Sequence, residues 1–299
     1  MQINHRDSKK VDAKPLKSST TPRYNNNVDP RVIEGFGNEW HRFDQSVLPL
    51  SDAITLFKDY FRIFPWDDLP EGAVGFDLGC GSGRWARFIA PMVTKLHCID
   101  ASEAAIKVAK RNLSEFNNCE FHCATVDNIP LTDNSLDFGY SLGVLHHIPD
   151  TLSGLCSCVK KLRPGAPFLL YLYYAFDNRP AWFRFIWKLS ETGRCALSQR
   201  SFHFKSMICD LIAAMVYWPL ARIAKFAEKM GASVDAIPLS AYRNRSFYVM
   251  RTDALDRFGT RLEKRFTKLQ IQNMMEEAGL QDIRFNEGPP YWVAVGTKK

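Results

Sequence analysis

The chain has 299 residues, of which 46% are hydrophobic, 24% charged and 13% aromatic; this is enough for a large core and excludes a collagen-like, coiled-coil or wholly disordered protein. Its formal charge of +7 is unevenly placed, with +4 on residues 1–31, +9 on residues 177–268 and −6 on the remainder. Eight cysteines and no apolar leader run predict a reducing, cytoplasmic setting, and because neither the cysteine spacing nor a histidine cluster completes a zinc site, no metal is expected.

Residues 1–30 are polar and rich in Lys, Ser, Thr and Asn, which predicts a disordered basic tail. Residues 31–69 predict a helical lid, within which Trp40 and Phe43 either cover a ligand or anchor the core. The first chemical signal comes at residues 74–78, an apolar run suited to a buried parallel strand, which enters Gly79-Cys80-Gly81-Ser82-Gly83. A helical pattern follows over residues 84–90 and stops at Pro91. Strand, glycine turn and helix place bare backbone amides where a ligand can approach closely. Neither the third glycine of a dinucleotide fingerprint nor the Gly-Lys-Ser/Thr of a P-loop is present.

Residues 95–100 predict a second strand ending in Asp100, whose carboxylate can accept both hydroxyls of a ribose. A helix over 103–113 and strands over 120–124, 135–141 and 167–173 follow. His146 and His147 leave the fourth strand at its C-terminal edge, and Tyr173 and Tyr174 leave the fifth at the same rim. Histidine has a pKa suited to deprotonating a bound ligand near neutral pH, the competing reading being a satisfied core or helix-start residue; the tyrosines could hydrogen-bond the ligand, the competing reading being a packed aromatic edge. About ninety residues then precede a helix at 269–279 and strands at 281–285 and 291–296, too many for a structureless loop. Helical patterns at 180–190, at 204–230 with a kink near Pro219, and at 246–258 predict a cap over the C-terminal strand edge. In that cap Arg243, Arg245, Tyr248 and Arg251 would hold an anionic acceptor, or else form a solvated face with pairs such as Asp253 with Arg257.

The run D-L-G-C-G-S-G at 77–83, the acid at 100, L-G-V-L-H-H-I-P-D at 142–150 and L-R-P-G at 162–165 resemble class I S-adenosylmethionine-dependent methyltransferases. The resemblance covers residues 70–176 and 269–299. It implies an α/β fold, with a Rossmann-like, doubly wound, seven-stranded and mainly parallel sheet and the cap of residues 177–268 inserted after the fifth strand. It also implies S-adenosylmethionine as methyl donor, bound by groups among Asp77, Gly79, Cys80, Gly81, Gly83, Asp100, Ala101, Val126, Asp127 and Ser141. Thr125 departs from the pattern, since related enzymes carry there an acid that bonds the adenine amino group; adenine is left to the Val126 backbone or Asp127. Trp40, Arg243, Arg245, Tyr248 and Arg251 would then bind the acceptor.

The resulting expectation is an enzyme that methylates oxygen or nitrogen of a small, anionic metabolite. Three alternatives stay open. One is a membrane-associated enzyme acting on a lipid-linked acceptor, with Trp182, Phe183, Phe185 and Trp187 beside Arg184 and Lys188 as an interfacial helix. The others are a nucleic-acid methyltransferase, although no recognition module is evident, and a non-catalytic S-adenosylmethionine sensor. Stable membrane insertion is not expected, because no stretch reaches 18 uncharged apolar residues. Association into a homo-oligomer stays open.

Overall fold

A computed structural model describes residues 27–234 and 237–299; residues 1–26 of the tail expected over 1–30 lie outside the described residues, while Asn27 bonds Asp127 and Asp150, and Pro30 already begins a helix. Two helices come first, Pro30–Arg42 (α1) and Leu50–Tyr60 (α2). The start of α1 is fixed by Asp29, whose carboxylate accepts the Arg31 backbone N–H at 2.9 Å, and by Pro30 in the first turn. Alternating strands and helices follow: Val74–Leu78 (β1), Ala86–Ile89 (α3), Lys95–Asp100 (β2), Glu103–Asn112 (α4), Cys119–Cys123 (β3), Phe138–Leu142 (β4), Thr151–Lys161 (α5) and Pro167–Tyr171 (β5). Four helices come next, Ala181–Ser198 (α6), Phe202–Ile212 (α7), Trp218–Lys229 (α8) and Phe247–Gly259 (α9), and then Lys268–Glu277 (α10), Leu280–Phe285 (β6) and Ala294–Lys298 (β7).

The seven strands form one sheet in the order β3-β2-β1-β4-β5-β7-β6. The first five run parallel, and β7 runs antiparallel to β5 and β6. The order reverses between β1 and β4, which opens a crevice above their C-terminal ends. Both faces of the sheet are buried. Phe76, Leu78, Ile99 and Phe168 pack against Leu155 and Val159 of α5 and Ile271 and Met275 of α10; Leu96, Cys98, Phe138 and Leu169 pack against α3 and α4. The seam between β1 and β4 is reciprocal. Gly75 pairs with Phe138 and Phe76 with Gly139, and a Cβ at either glycine would stand 2.2–2.3 Å from the facing ring. Each phenyl thus lies over its neighbour's bare backbone, which is why glycine sits inside two strands.

Helices α6–α9 and the residue after α1 share a cluster of their own, with Phe43, Cys209, Ala213, Tyr217, Ala221, Met250, Ala254 and Leu255 buried together. Between α7 and α8, Ala213–Tyr217 widens into a π-helical turn. Pro219 has no N–H to return to the preceding turn, so the helix accommodates it by that widening. Three strand ends differ from the sequence expectation: the fourth strand begins at Phe138 rather than at 135, with Leu136 making only an isolated bridge to Leu162. The fifth strand stops at Tyr171, while Tyr174 makes only an isolated bridge to Phe266. The last begins at Ala294, because Tyr291 packs on Tyr174 and Trp292 donates from Nε1 to Asp177 at 2.9 Å.

Candidate functional site

A cavity of about 1250 Å³ opens where the C-terminal ends of β1, β2, β4 and β5 meet α1, α2 and helices α6–α9. One side is built on the glycine turn, where Gly79, Gly81 and Gly83 all have positive φ, between 54° and 79°. Gly81 N–H donates to Asp100 Oδ2 at 2.9 Å and Ser102 N–H donates to Oδ1 at 2.8 Å. Burial raises the Asp100 pKa, and these two amides pull it back down. Gly79, Cys80, Asp100, Ala101 and Val126 line the cavity.

The other groups expected there stand behind or beside the wall. Gly81 faces the Trp40 indole, where a Cβ would lie 2.8 Å from the ring, and Gly83 faces Leu113 at the same distance. Ser141 Oγ donates to the Leu78 carbonyl at 3.1 Å and ties β4 to β1. Asp127 accepts the Asn27 N–H at 2.5 Å. Asp77 is buried below the turn, and burial pushes its carboxyl up to about 8, with the Tyr140 hydroxyl acting the other way.

Opposite the glycine turn, a 3₁₀ turn over Leu145–His147 orients the two histidines differently. His147 lines the cavity, and its Nδ1 lies 2.7 Å from the Leu262 carbonyl, a contact only an N–H can make. Its Nε2 therefore carries the lone pair and lies 3.8 Å from Asp256 Oδ1. Burial lowers the His147 pKa, while Asp256 and the Leu262 carbonyl offset part of the effect. His146 is fully buried outside the cavity wall, with ring centroids 3.9 Å from both His147 and Tyr173. Burial, and then His147 and Arg265, hold its pKa far below the ordinary value. Tyr173 donates its hydroxyl hydrogen to Asp256 Oδ2, and burial keeps the phenol protonated. Tyr174 also lines the cavity, beside Phe176 and Tyr291.

The arginines of the 243–251 segment already have carboxylate partners. Arg243 pairs with Glu228 at 2.8 Å, Arg245 with Asp59 at 2.6 Å and Arg251 with Asp210 at 2.9 Å, and Arg251 lies outside the cavity wall. Tyr248 lines the wall and accepts the Gln45 N–H at 3.0 Å. The expected Asp253–Arg257 pair does not form. Arg257 turns to Glu191 and Glu263, and Asp253 faces the cavity, raised by burial to about 6.

Several polar groups in the wall were not foreseen from the sequence. Glu39, buried and held well above the ordinary carboxylate range, joins Asp253 and Asp256 there. Arg84 stacks over Trp40 at 5.6 Å and Trp85 at 4.4 Å, with no carboxylate in ion-pair range among the described residues. Its place directly after Gly83 was the available signal. Helix α1 touches every part of this site. Trp40 covers Gly81, Phe36 packs on His147 at 4.9 Å, and Gly37 lets α1 approach Ser102; Arg42 pairs with Asp210 at 2.5 Å, and the following Phe43 meets Tyr248 at 5.5 Å.

The methyltransferase domain family model matches residues 76–170. The ubiquinone biosynthesis O-methyltransferase of Aromatoleum aromaticum is 29% identical over 150 residues, covering 47% of this chain and 61% of that enzyme. Its counterpart in Xanthomonas oryzae is 24% identical over 242 residues, covering 80% of this chain and 96% of that one. The match thus spans about three-fifths of the Aromatoleum enzyme, and 66% of a further such enzyme from Thiobacillus denitrificans. Among solved structures, an S-adenosylmethionine-dependent methyltransferase from Thermotoga maritima, described as a possible histamine N-methyltransferase, superposes with a TM-score of 0.50 at 14% identity. The superposition covers 90% of this chain and 99% of that one, a likeness of fold.

Proposed function

We propose, from the premise that the chain belongs to the class I S-adenosylmethionine-dependent methyltransferases, that it methylates an oxygen of a small, largely apolar acceptor. The donor supplies an electrophilic methyl on sulfur, so the protein's part is alignment, exclusion of water and removal of one proton. The residues fit that donor. After accepting from Gly81 and Ser102, each Asp100 oxygen keeps a lone pair for a ribose hydroxyl. Arg84 would hold the methionine carboxylate, and a volume of about 1250 Å³ exceeds the roughly 300–1,000 Å³ usual for one ligand, leaving room for an acceptor.

The observation that carries the reading is the setting of His147. Its Nδ1–H is held by the Leu262 carbonyl, so neutral Nε2, with no hydrogen-bond partner among the described residues, keeps its lone pair just beneath the wall that the ring lines, and a small shift of the ring brings it to the acceptor. The acceptor hydroxyl gives its proton to Nε2 as the oxygen–carbon bond forms and the sulfur–carbon bond breaks. Asp256, 3.8 Å away and fixed by the Tyr173 hydroxyl, offsets the new imidazolium charge. His146 positions this group from behind. Replacement His147→Gln should lower turnover by roughly 10²–10⁴-fold with donor affinity nearly unchanged, as read by single-turnover kinetics and calorimetry. Full turnover in that variant would remove the base. The acceptor itself is found by incubating the enzyme with labelled donor and a fractionated metabolite extract, then identifying the labelled product by mass spectrometry.

The relatives are named for O-methylation in ubiquinone biosynthesis. An aromatic acceptor with an apolar tail suits a wall that includes Phe36, Tyr171, Phe183, Ile186 and Trp187. The 243–251 arginines are already paired, which turns our reading away from an anionic acceptor.

One further observation favours a membrane-associated version of this enzyme. Phe204, Met207, Leu211, Met215, Trp218, Phe226 and Met230 are exposed at spacings of three, four or eight residues along α7 and α8. Phe202–Lys229 is long and apolar enough to cross a membrane, yet Cys209, Ala213 and Ala221 on its other face pack with Met250 and Ala254 of α9. Ile212, Val216 and Leu220 on the same helices line the cavity, so its wall continues onto the exposed stripe, flanked by Arg222, Lys225 and Lys229. A helix lying in a lipid surface would deliver an apolar acceptor directly. The wild type should float with anionic vesicles and a Leu211→Glu/Phe226→Glu variant should not; equal recovery of the two would end this version.

A further inference from the structure

Beyond the methyl-transfer cavity, strands β2 and β3 bring together three side chains that are distant in sequence. The parallel register sets His97 opposite Glu120 and Ile99 opposite His122. Because strand side chains alternate with a period of two, positions 97, 120 and 122 share one face of the sheet. His97 Nδ1 stands 3.1 Å from His122 Nε2 and 3.7 Å from Glu120 Oε2, and His122 Nε2 stands 3.6 Å from Glu120 Oε1. One potential donor atom from each residue lies within 4.8 Å of the others.

Those separations have a specific meaning. In a tetrahedral shell with metal–nitrogen and metal–oxygen bonds of roughly 2.0–2.2 Å, neighbouring donors stand about 3.3–3.6 Å apart. The nitrogen–nitrogen edge is close to that value, and because the two histidines now face different Glu120 oxygens, a turn of the Glu120 carboxylate, with the strands in place, brings one oxygen to both. Two imidazole nitrogens 3.1 Å apart can share only one hydrogen, whereas a cation uses the lone pairs of both. The histidine side chains are 11% and 16% exposed and Glu120 is 50% exposed, so the cluster is rooted in the sheet and open on one side to water as a fourth ligand. Imidazole donors select against magnesium and calcium, which prefer all-oxygen shells, and favour a first-row transition ion. The group facing the cluster from the same strands is Lys95, 3.4 Å from Glu120 Oε2, and its ion pair would yield to the metal.

We propose that the chain binds one divalent first-row transition ion, with Zn²⁺ as its representative, through His97, Glu120 and His122. The ion clips β3, an edge strand paired on one side only, to β2, whose last residue is Asp100. The sequence concealed the site because twenty-two residues separate the first histidine from Glu120, and only the strand register closes that gap.

The test uses the full chain after treatment with a chelator. Titration with Zn²⁺ should show one ion bound per chain and raise the thermal midpoint, and the chelator should reverse both effects. Co²⁺ should give d–d bands without thiolate-to-cobalt absorption, which separates this site from the exposed Cys123, Cys156 and Cys195. His122→Ala and Glu120→Gln should each weaken Zn²⁺ binding at least about tenfold while S-adenosylmethionine still binds, which shows that the variants are folded. Non-saturable uptake, a thiolate band, or unchanged Zn²⁺ affinity in both variants would overturn the proposal.

Discussion

His147 differs from its neighbour by one backbone step, yet the two side chains have different chemistry. Burial lowers the His147 pKa from the ordinary 6.5, so the basic form persists to lower pH than for a free imidazole. Turnover under saturating substrates should therefore fall on acidification with an apparent pKa below 6.5, and an acid limb above that value would contradict the assignment. Asp77 shows the opposite case. Its carboxyl, raised to about 8 from an unfolded value near 3.8, contributes stability that is whole below the lower value and is lost as pH rises through the higher one. Asp77→Asn escapes that loss, so its melting point should gain on the wild type between pH about 5 and about 8, by about 2–4 °C for each kcal/mol. The histidine pair was legible as a motif; which member faces the cavity was not, because a single 3₁₀ turn decides it. Arg84 was similarly hidden, since its lack of an acidic partner is a property of the fold rather than of the residues beside it.

Among elements, the strands of the sheet were the most legible, because a strand buried on both faces must be apolar throughout. The seam between β1 and β4 adds a constraint that hydropathy does not carry. Gly139→Val would drive two methyl groups into Phe76 and should destabilise the protein by about 1–3 kcal/mol, measured by urea denaturation; a neutral substitution would mean that the seam relaxes. The bend near Pro219 was visible as a missing N–H, and the structure resolves it into a π-helical turn. The side of α7 and α8 left exposed was not visible, since an apolar helix reads the same whether it packs in a core or lies at a surface. Tyr291 and Trp292 illustrate another limit. Their apolar character suggested a strand, but contacts with Tyr174 and Asp177 hold them outside the ladder.

For the molecule as a whole, the +9 of residues 177–268 looked in the sequence like an attraction for an anion. Folding pairs Arg243, Arg245, Arg251 and Arg257 with Glu228, Asp59, Asp210, Glu191 and Glu263, so net charge overstated what the cavity presents. Helix α1 is where the parts meet. It covers the glycine turn with Trp40, packs on the proposed base with Phe36, and latches onto α7 through Arg42 and Asp210. That latch is partly exposed and is worth no more than about 1 kcal/mol. Arg42→Ala should therefore speed release of S-adenosylhomocysteine severalfold in stopped-flow experiments while leaving the fold intact, and an unchanged rate would show that α1 does not gate exit. Because the same helix covers the glycine turn and packs on His147, a molecule opened at α1 would lose the cover of the proposed donor site and the brace of the proposed base together. On that assignment the cycle would acquire a timetable, with cofactor exchange and methyl transfer in separate intervals and the sulfonium meeting the proposed base only under a closed strap.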